Sequence, residues 1–203
     1  MHISDGVLSP AALTTGWVIA AAGTAVGLKK INPDKIIRVS LMGSAFFLAS
    51  LVNVKVGPSC THLSLLAPIG LVLGWSCFPA MMVALLLQAL LFQFGGLLSI
   101  GPNTVDVGVP AFLAWLVFSR LILNSTGIKA MVWSFLAGAL AVLLCATFVG
   151  CFLMLTDTGM IGSAKAVFIA HLPLAAIEGI ITAFFTAFLK RSAPDLLLNS
   201  QSR

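Results

Sequence analysis

AMVWSFLAGALAVLLCATFVGCFLML, residues 130–155, is a run of 26 residues without one charged side chain. A transmembrane helix needs about 20 consecutive apolar residues to cross a hydrocarbon layer ~30 Å thick, so this run can cross with some tilt. Further apolar runs lie at about 11–28, 36–54, 78–98, 107–123 and 166–189, with a shorter one at about 62–75. This repetition predicts an all-α polytopic membrane protein of about seven hydrophobic helices, the third of them short. Pro68 and Gly70 interrupt that third run, so a broken or tilted half-span is expected there. Ser9-Pro10 opens the first helix with a capping hydroxyl followed by proline at the first helical position.

Composition excludes the soluble classes. Of 203 residues, 60% are hydrophobic and 8% charged, against roughly 25% charged in soluble domains. The chain reads as one integral membrane domain, 1–203, with no room for an ATPase. Whatever it moves must be powered from outside or follow a gradient. The net charge of +5 is not gathered into a basic patch interleaved with aromatics, so no nucleic-acid partner is expected. Cys60, Cys77, Cys145 and Cys151 form no CxxC pair and suggest no disulfide framework. The opening MHISDGVLSPAALTT lacks a basic leader and carries Asp5, so no cleaved signal peptide is expected.

Lysine and arginine set the expected orientation. With seven crossings and the N-terminus outside, Lys29, Lys30, Lys35, Arg38, Arg120, Lys129, Lys190, Arg191 and Arg203 fall on the cytoplasmic side, and only Lys55 and Lys165 outside. That bias predicts an N-out, C-in protein of the cell (inner or plasma) membrane. It places the polar segments 1–9, 53–62 and 99–106 together on the outer side.

Met1-His2 has the chemistry of a chelate. The α-amino nitrogen, the amide nitrogen of residue 2 and the imidazole Nδ1 of His2 can close a five-membered and a six-membered ring on one ion. Ni(II) or Cu(II) drives the required amide ionisation better than Zn(II), because nitrogen-rich square-planar ligation suits their d-electron counts. His62, the other histidine expected on the outer side, would supply a fourth nitrogen. Taken singly, His2 reads equally as a solvated terminal residue and His62 as a helix cap or interfacial residue.

The segment Met1-His2-Ile3-Ser4-Asp5-Gly6-Val7-Leu8-Ser9-Pro10 resembles the start of the CbiM/NikM family, the substrate-capture components of cobalt and nickel energy-coupling-factor transporters. The likeness continues through Gly57-Pro58-Ser59 to His62-Leu63, Gln88-Ala89-Leu90-Leu91-Phe92, Gly95-Gly96-Leu97, Gly101 with Asn103-Thr104, and His171-Leu172-Pro173 with Glu178-Gly179. It implies metal ligation by the N-terminal amine, the amide and imidazole of His2, and His62. It also implies a transmembrane coupling subunit, cytoplasmic ATPase subunits and often a small extra membrane subunit as partners. The chain itself would be no enzyme. It would need no prosthetic group, with Co(II) or Ni(II) as its transported ligand. Cys60 departs from the small or hydroxyl residue expected just before His62.

Around such a site Asn103, Ser59 and Thr61 are candidates to hold the imidazoles, with turns and helix caps as the plain alternative. His171 and Glu178 are the ionisable residues deep in an apolar span, on one face of it, where such residues default to functional suspicion. They could serve as interhelical hydrogen-bonding groups or in transport. A proton-coupled secondary metal transporter using Glu178 and His171 is therefore the alternative reading. The amide of Gln88 is expected to bridge helices. A metalloprotease would need a motif such as HExxH, which this sequence lacks.

Overall fold

The computed structural model describes residues 2–56 and 59–198, the strand residues 53–56 and 59–61 by backbone alone. Met1, Gly57, Pro58 and 199–203, including Arg203, lie outside them. The elements are α1 (Pro10–Lys29), α2 (Pro33–Ser50), a hairpin of β1 (Asn53–Val56) and β2 (Ser59–His62), α3 (Leu66–Leu73), α4 (Cys77–Phe92), α5 (Ile100–Leu123), α6 (Gly127–Thr156), α7 (Ile161–Ser192) and a short α8 (Pro194–Leu198). Seven helices of eight residues or more, α1–α7, thus carry an all-α membrane fold. Five stretches are long and apolar enough to cross a bilayer: 10–29, 66–92, 100–123, 127–156 and 158–192. The stretch 66–92 joins α3 and α4 through the 3-10 turn Gly74–Ser76. The first two turns of α2 carry Asp34, Lys35 and Arg38, which make it more polar.

The outer surface is apolar, the reverse of a soluble protein. Val18, Ile37, Ile128 and Phe184 are 65% or more exposed, as suits side chains facing lipid. Inside, small residues let the helices approach closely. Ala12, Gly16, Ala20, Gly23 and Gly27 form the buried stripe of α1. A Cβ on Gly138 of α6 would stand 2.5 Å from the Thr182 hydroxyl and 2.6 Å from the Glu178 carbonyl oxygen on α7. One hydroxyl bridge crosses the same interface, Thr186 Oγ1 donating to Ser134 Oγ at 2.6 Å.

Helix directions follow from which ends meet. The indole N–H of Trp17, early in α1, donates to the Leu98 carbonyl just before α5 at 2.8 Å. The Ser9 amide donates to Thr156 Oγ1 at the end of α6 at 3.1 Å. At the opposite end Lys190 of α7 donates to the carbonyls of Ile122 (2.7 Å) and Ser125, beside the C-terminus of α5. Helices α2 and α4 run parallel: Gly43 faces Ala80, and Gln88 Nε2 donates to Ser50 Oγ at 2.6 Å. The intervening chain must therefore come back from the far end of α2. It does so through the hairpin, α3 and the 3-10 turn after it, which lead from Glu178 on α7 to Gly27 on α1, where the Ser76 hydroxyl donates to the Gly27 carbonyl. The described termini consequently lie at opposite ends. Lys29, Lys30, Lys35, Arg38, Arg120, Lys129, Lys190 and Arg191 all fall at the end opposite the N-terminal segment.

Three expectations about boundaries need correction. The second run ends as a helix at Ser50, and a hairpin occupies 53–62, in place of the expected polar loop. The fourth ends at Phe92, with Gln93 in a left-handed conformation (φ 57°) closing the helix, so 93–98 is a turn segment. Most consequential, 99–106 is no outer loop: α5 starts at Ile100, and residues 100–108 are all buried. Pro102 does not prevent this, because proline is tolerated in the first helical turn, where amides have no intrahelical acceptor.

Candidate metal centre

The N-terminal segment enters the bundle, with Ile3 and Leu8 buried against α1, α5 and α6. Asn103 in the first turn of α5 grips its backbone. The Ile3 amide donates to Asn103 Oδ1 at 2.8 Å, and Asn103 Nδ2 donates to the Ile3 carbonyl at 3.0 Å. The side-chain amide thus pairs with a peptide unit as a neighbouring strand would, which leaves His2 little freedom to shift register. Asp5 forms the second anchor. Its Oδ1 accepts from the Ser99 amide (2.9 Å) and hydroxyl (2.8 Å), and its Oδ2 from the Leu98 amide (3.3 Å). A carboxylate here caps α5 from a distant segment and meets the positive end of its dipole. Burial opposes the charge, but the bonds from Ser99 and Leu98 outweigh it and hold the Asp5 carboxyl below its ordinary pKa. The loop around Asp5 has no room to spare: a Cβ on Gly96 would lie 2.1 Å from its carboxyl carbon.

Gly96→Ala or Asp5→Ala therefore releases the N-terminal segment without touching a histidine. Loss of the cap alone costs about 1 kcal/mol, and metal affinity should fall by roughly tenfold as His2 loses its fixed place. Titration calorimetry against wild type checks this; unchanged affinity in both variants would mean the anchor does not position His2.

The His2 ring lies against His62, with ring centroids 4.8 Å apart and planes tilted by 43°. His62 ends β2 and is 4% exposed. Its Nδ1 is 3.1 Å from the Leu63 carbonyl, so Nδ1–H donates there and the lone pair resides on Nε2. The Nε2 atoms of both His2 and His62 are buried with no hydrogen-bond partner among the described residues. An unsatisfied buried polar atom costs about 1–3 kcal/mol, and the Nε2 of His62, in contact with the His2 ring, carries a lone pair free to ligate a metal. Burial chiefly, then nearby positive charge, lowers His62 to about 4 and moves His2 well below 6.5. Both rings are thus neutral at physiological pH, the form that ligates.

The chain leaving His62 is fixed from α7. Glu178 accepts from the Ser64 amide, the Ser64 hydroxyl (3.0 Å) and the Leu65 amide (2.9 and 3.1 Å to its two oxygens). It thereby holds Leu65 in a left-handed conformation, φ 51°, at the start of α3. His171 takes a different partner, its Nδ1 lying 2.7 Å from the Val167 carbonyl, while its Nε2 is also buried without one. Glu178 and His171 are therefore not bonded to each other. His171 is close enough to His62 to interact with it electrostatically.

The structure brings together His2, His62 and Asn103, the last against the backbone of Ile3 rather than an imidazole. Met1 and the side chains of Ser59 and Thr61 lie outside the described residues, within which no three His, Cys, Asp or Glu side chains form a cluster. Gln88 bridges α4 to α2 through Ser50, in line with the reading of its amide as an interhelical link. The capping role of Asp5 has no local signal in the sequence.

Comparison with known proteins places these features in a lineage. Residues 2–196 match the CbiM family, described as a cobalt uptake substrate-specific transmembrane region. A Haemophilus influenzae protein provisionally named a metal transport protein is 30% identical over 204 residues, covering 100% of this chain and 99% of its own. A Methanocorpusculum labreanum protein provisionally named a fused cobalt transport protein CbiMQ is 28% identical over 218 residues, covering 98% of this chain and 36% of its own. The crystal structure of a transition metal transporter shares the fold, with a TM-score of 0.79 at 24% identity over 99% of this chain and 98% of that one.

Proposed function

Because this chain belongs to the CbiM family of cobalt-uptake substrate-specific transmembrane components, we propose that it captures Co(II) or Ni(II) through its buried N-terminal segment and His62. It is a multi-pass transporter component and not an enzyme. The observation that carries the site is the contact between the His2 and His62 imidazoles, 4.8 Å between centroids, with the Nε2 of His62 buried and without a partner among the described residues. The ligand set is four nitrogens: the Met1 amine, the ionised His2 amide, the His2 imidazole and the His62 imidazole. Such a set suits Ni(II) and low-spin Co(II), and it chelates Cu(II) still more tightly by the Irving–Williams order. Discrimination then rests on pocket access and metal supply. His2 bound through its Nδ1 would turn its Nε2 outward, towards Gln88 or a water; His62 would bind through Nε2.

The subunit works in an ATP-driven assembly with a transmembrane coupling protein, cytoplasmic ATPases and a small extra membrane subunit. The fused CbiMQ relative supports a physical tie to another transport subunit. The basic end of the bundle faces the cytoplasm, which puts the N-terminal segment outside. The proton-coupled alternative is disfavoured because Glu178 already receives every donor offered by Ser64 and Leu65, an anchoring role rather than that of a relay group.

The test is calorimetry of Co(II) and Ni(II) binding to purified wild type and His62→Ala. Loss of one of four nitrogens should weaken binding by roughly a hundredfold or more, with circular dichroism unchanged. Wild-type affinity in His62→Ala would move the site elsewhere, with His171 the next place to look. In cells, uptake should vanish when the partner ATPases are deleted.

A further inference from the structure

We propose that the Asp106 carboxylate is the counter-charge of the captured cation, a role that rests on the capture site above. The chain has six acidic residues. Asp34, Asp157 and Asp195 are exposed, and Asp5 is engaged in capping α5. The two buried carboxylates are Glu178 and Asp106, each 1% exposed. Glu178 is saturated by Ser64 and Leu65. Among the described residues, neither oxygen of Asp106 finds a hydrogen-bond partner.

Its position fits the charge it lacks. Asp106 lies three residues beyond Asn103 in α5, so the two share a helix face with β-carbons about 5–6 Å apart. Asn103 holds Ile3, the neighbour of His2. Asp106 is therefore one turn deeper than the clamp, and it reaches electrostatically to Cys145 on α6. Neutral imidazoles and a neutral amine bring no negative charge, and an ionised amide brings only one. A divalent ion so bound leaves at least one positive charge in a medium where uncompensated charge is costly. In the empty protein the Asp106 carboxyl is buried without a hydrogen-bond partner among the described residues, and a bound cation supplies the opposite charge that its ionised form needs. Each supplies what the other lacks, through space rather than by a coordination bond.

The experiment compares purified full-length wild type, Asp106→Asn and Asp106→Glu for Co(II) affinity, Co(II) absorption spectrum and metal-free melting temperature. Asp106→Asn removes the charge and keeps the shape. It should weaken Co(II) binding by roughly 10–100-fold, as one charge about 6–12 Å away does at an effective dielectric near 20. Its metal-free melting temperature should be equal to wild type or higher, the opposite of what removing a structural group does. Its spectrum at saturation should match wild type, and Asp106→Glu should keep more affinity than Asp106→Asn. Wild-type affinity in Asp106→Asn overturns the proposal. A shifted spectrum also overturns it, by making Asp106 a ligand, and so does equal loss in both variants with a lowered melting temperature. The parent reading fails separately, if His62→Ala binds Co(II) as wild type does.

Discussion

One alanine inserted ahead of Met1 should abolish Co(II) and Ni(II) binding and leave the helices intact. The insertion keeps every side chain but moves the primary amine one residue away from His2, so the five-membered ring from amine to His2 amide cannot close. The protein cannot compensate by sliding: Asn103 makes two hydrogen bonds to the Ile3 peptide, and Asp5 is tied to Leu98 and Ser99. Losing a ring and its nitrogen together should lower affinity by at least a hundredfold, about 2.7 kcal/mol. His2→Ala should be as severe, because it removes an imidazole and with it the second ring. Calorimetry on both proteins reads the effect, and circular dichroism reports whether the fold is kept. An extended protein that binds like wild type would eliminate the amine as a ligand and leave the two imidazoles as the core of the site.

Gly70→Ala should produce the largest loss of stability among single-methyl additions. A Cβ at this position would lie 1.9 Å from the Ala111 carbonyl oxygen and 2.5 Å from its carbon. Both are backbone atoms of α5, so no side-chain rotation relieves the overlap, and α3 and α5 must separate. Overpacking costs about 1–3 kcal/mol, occasionally more. With backbone on the far side of the clash, the upper end of that range, about 3 kcal/mol, is expected. For a chain of this length that corresponds to a melting temperature lower by roughly 10 °C. Gly162→Ala in α7 is the control, since nothing lies within 4 Å of its Cβ; it should be neutral or slightly stabilising. Because α3 begins at the Leu65 held by Glu178, Gly70→Ala should also weaken metal binding. A melting temperature within about 2 °C of wild type would show that α3 can move away from α5 at little cost.

Much of the fold is legible in the order of residues, for a reason particular to membranes. In hydrocarbon each backbone amide and carbonyl must be satisfied within its own segment. Local hydrophobicity alone therefore locates α1 to within one residue at each end, α6 to within three and α7 to within five. The same holds for Ser9-Pro10, whose cap is made by its own neighbour, Ser9 Oγ accepting from the Ala12 amide at 3.3 Å. The gathering of lysine and arginine at one end can likewise be read from the alternation of runs. Legibility fails where satisfaction comes from elsewhere. The first two turns of α5 read as a loop because their cap, Asp5, is supplied from a segment 94 positions earlier. Residues 62–75 read as one short span, and the strands before them as a polar loop, because nothing nearby in sequence announces Glu178, 113 and 114 positions on, as the acceptor for Leu65 and Ser64.

The candidate metal centre divides along the same line. Which nitrogens are available follows from the residues alone: an N-terminal amine beside His2, and His62 on the same side of the bundle. So does the polytopic membrane protein that carries them. Three further features exist only in the folded chain. The His2 and His62 rings touch, both Nε2 atoms are buried and unpaired, and Asn103 grips the backbone of Ile3 rather than an imidazole. Folding also singles out Asp106, which along the chain is one polar residue among several between two apolar runs. The physical reason is that a helix in lipid is specified by its own residues. A binding site is specified by distant segments brought within hydrogen-bonding or electrostatic reach, and no local pattern encodes that reach.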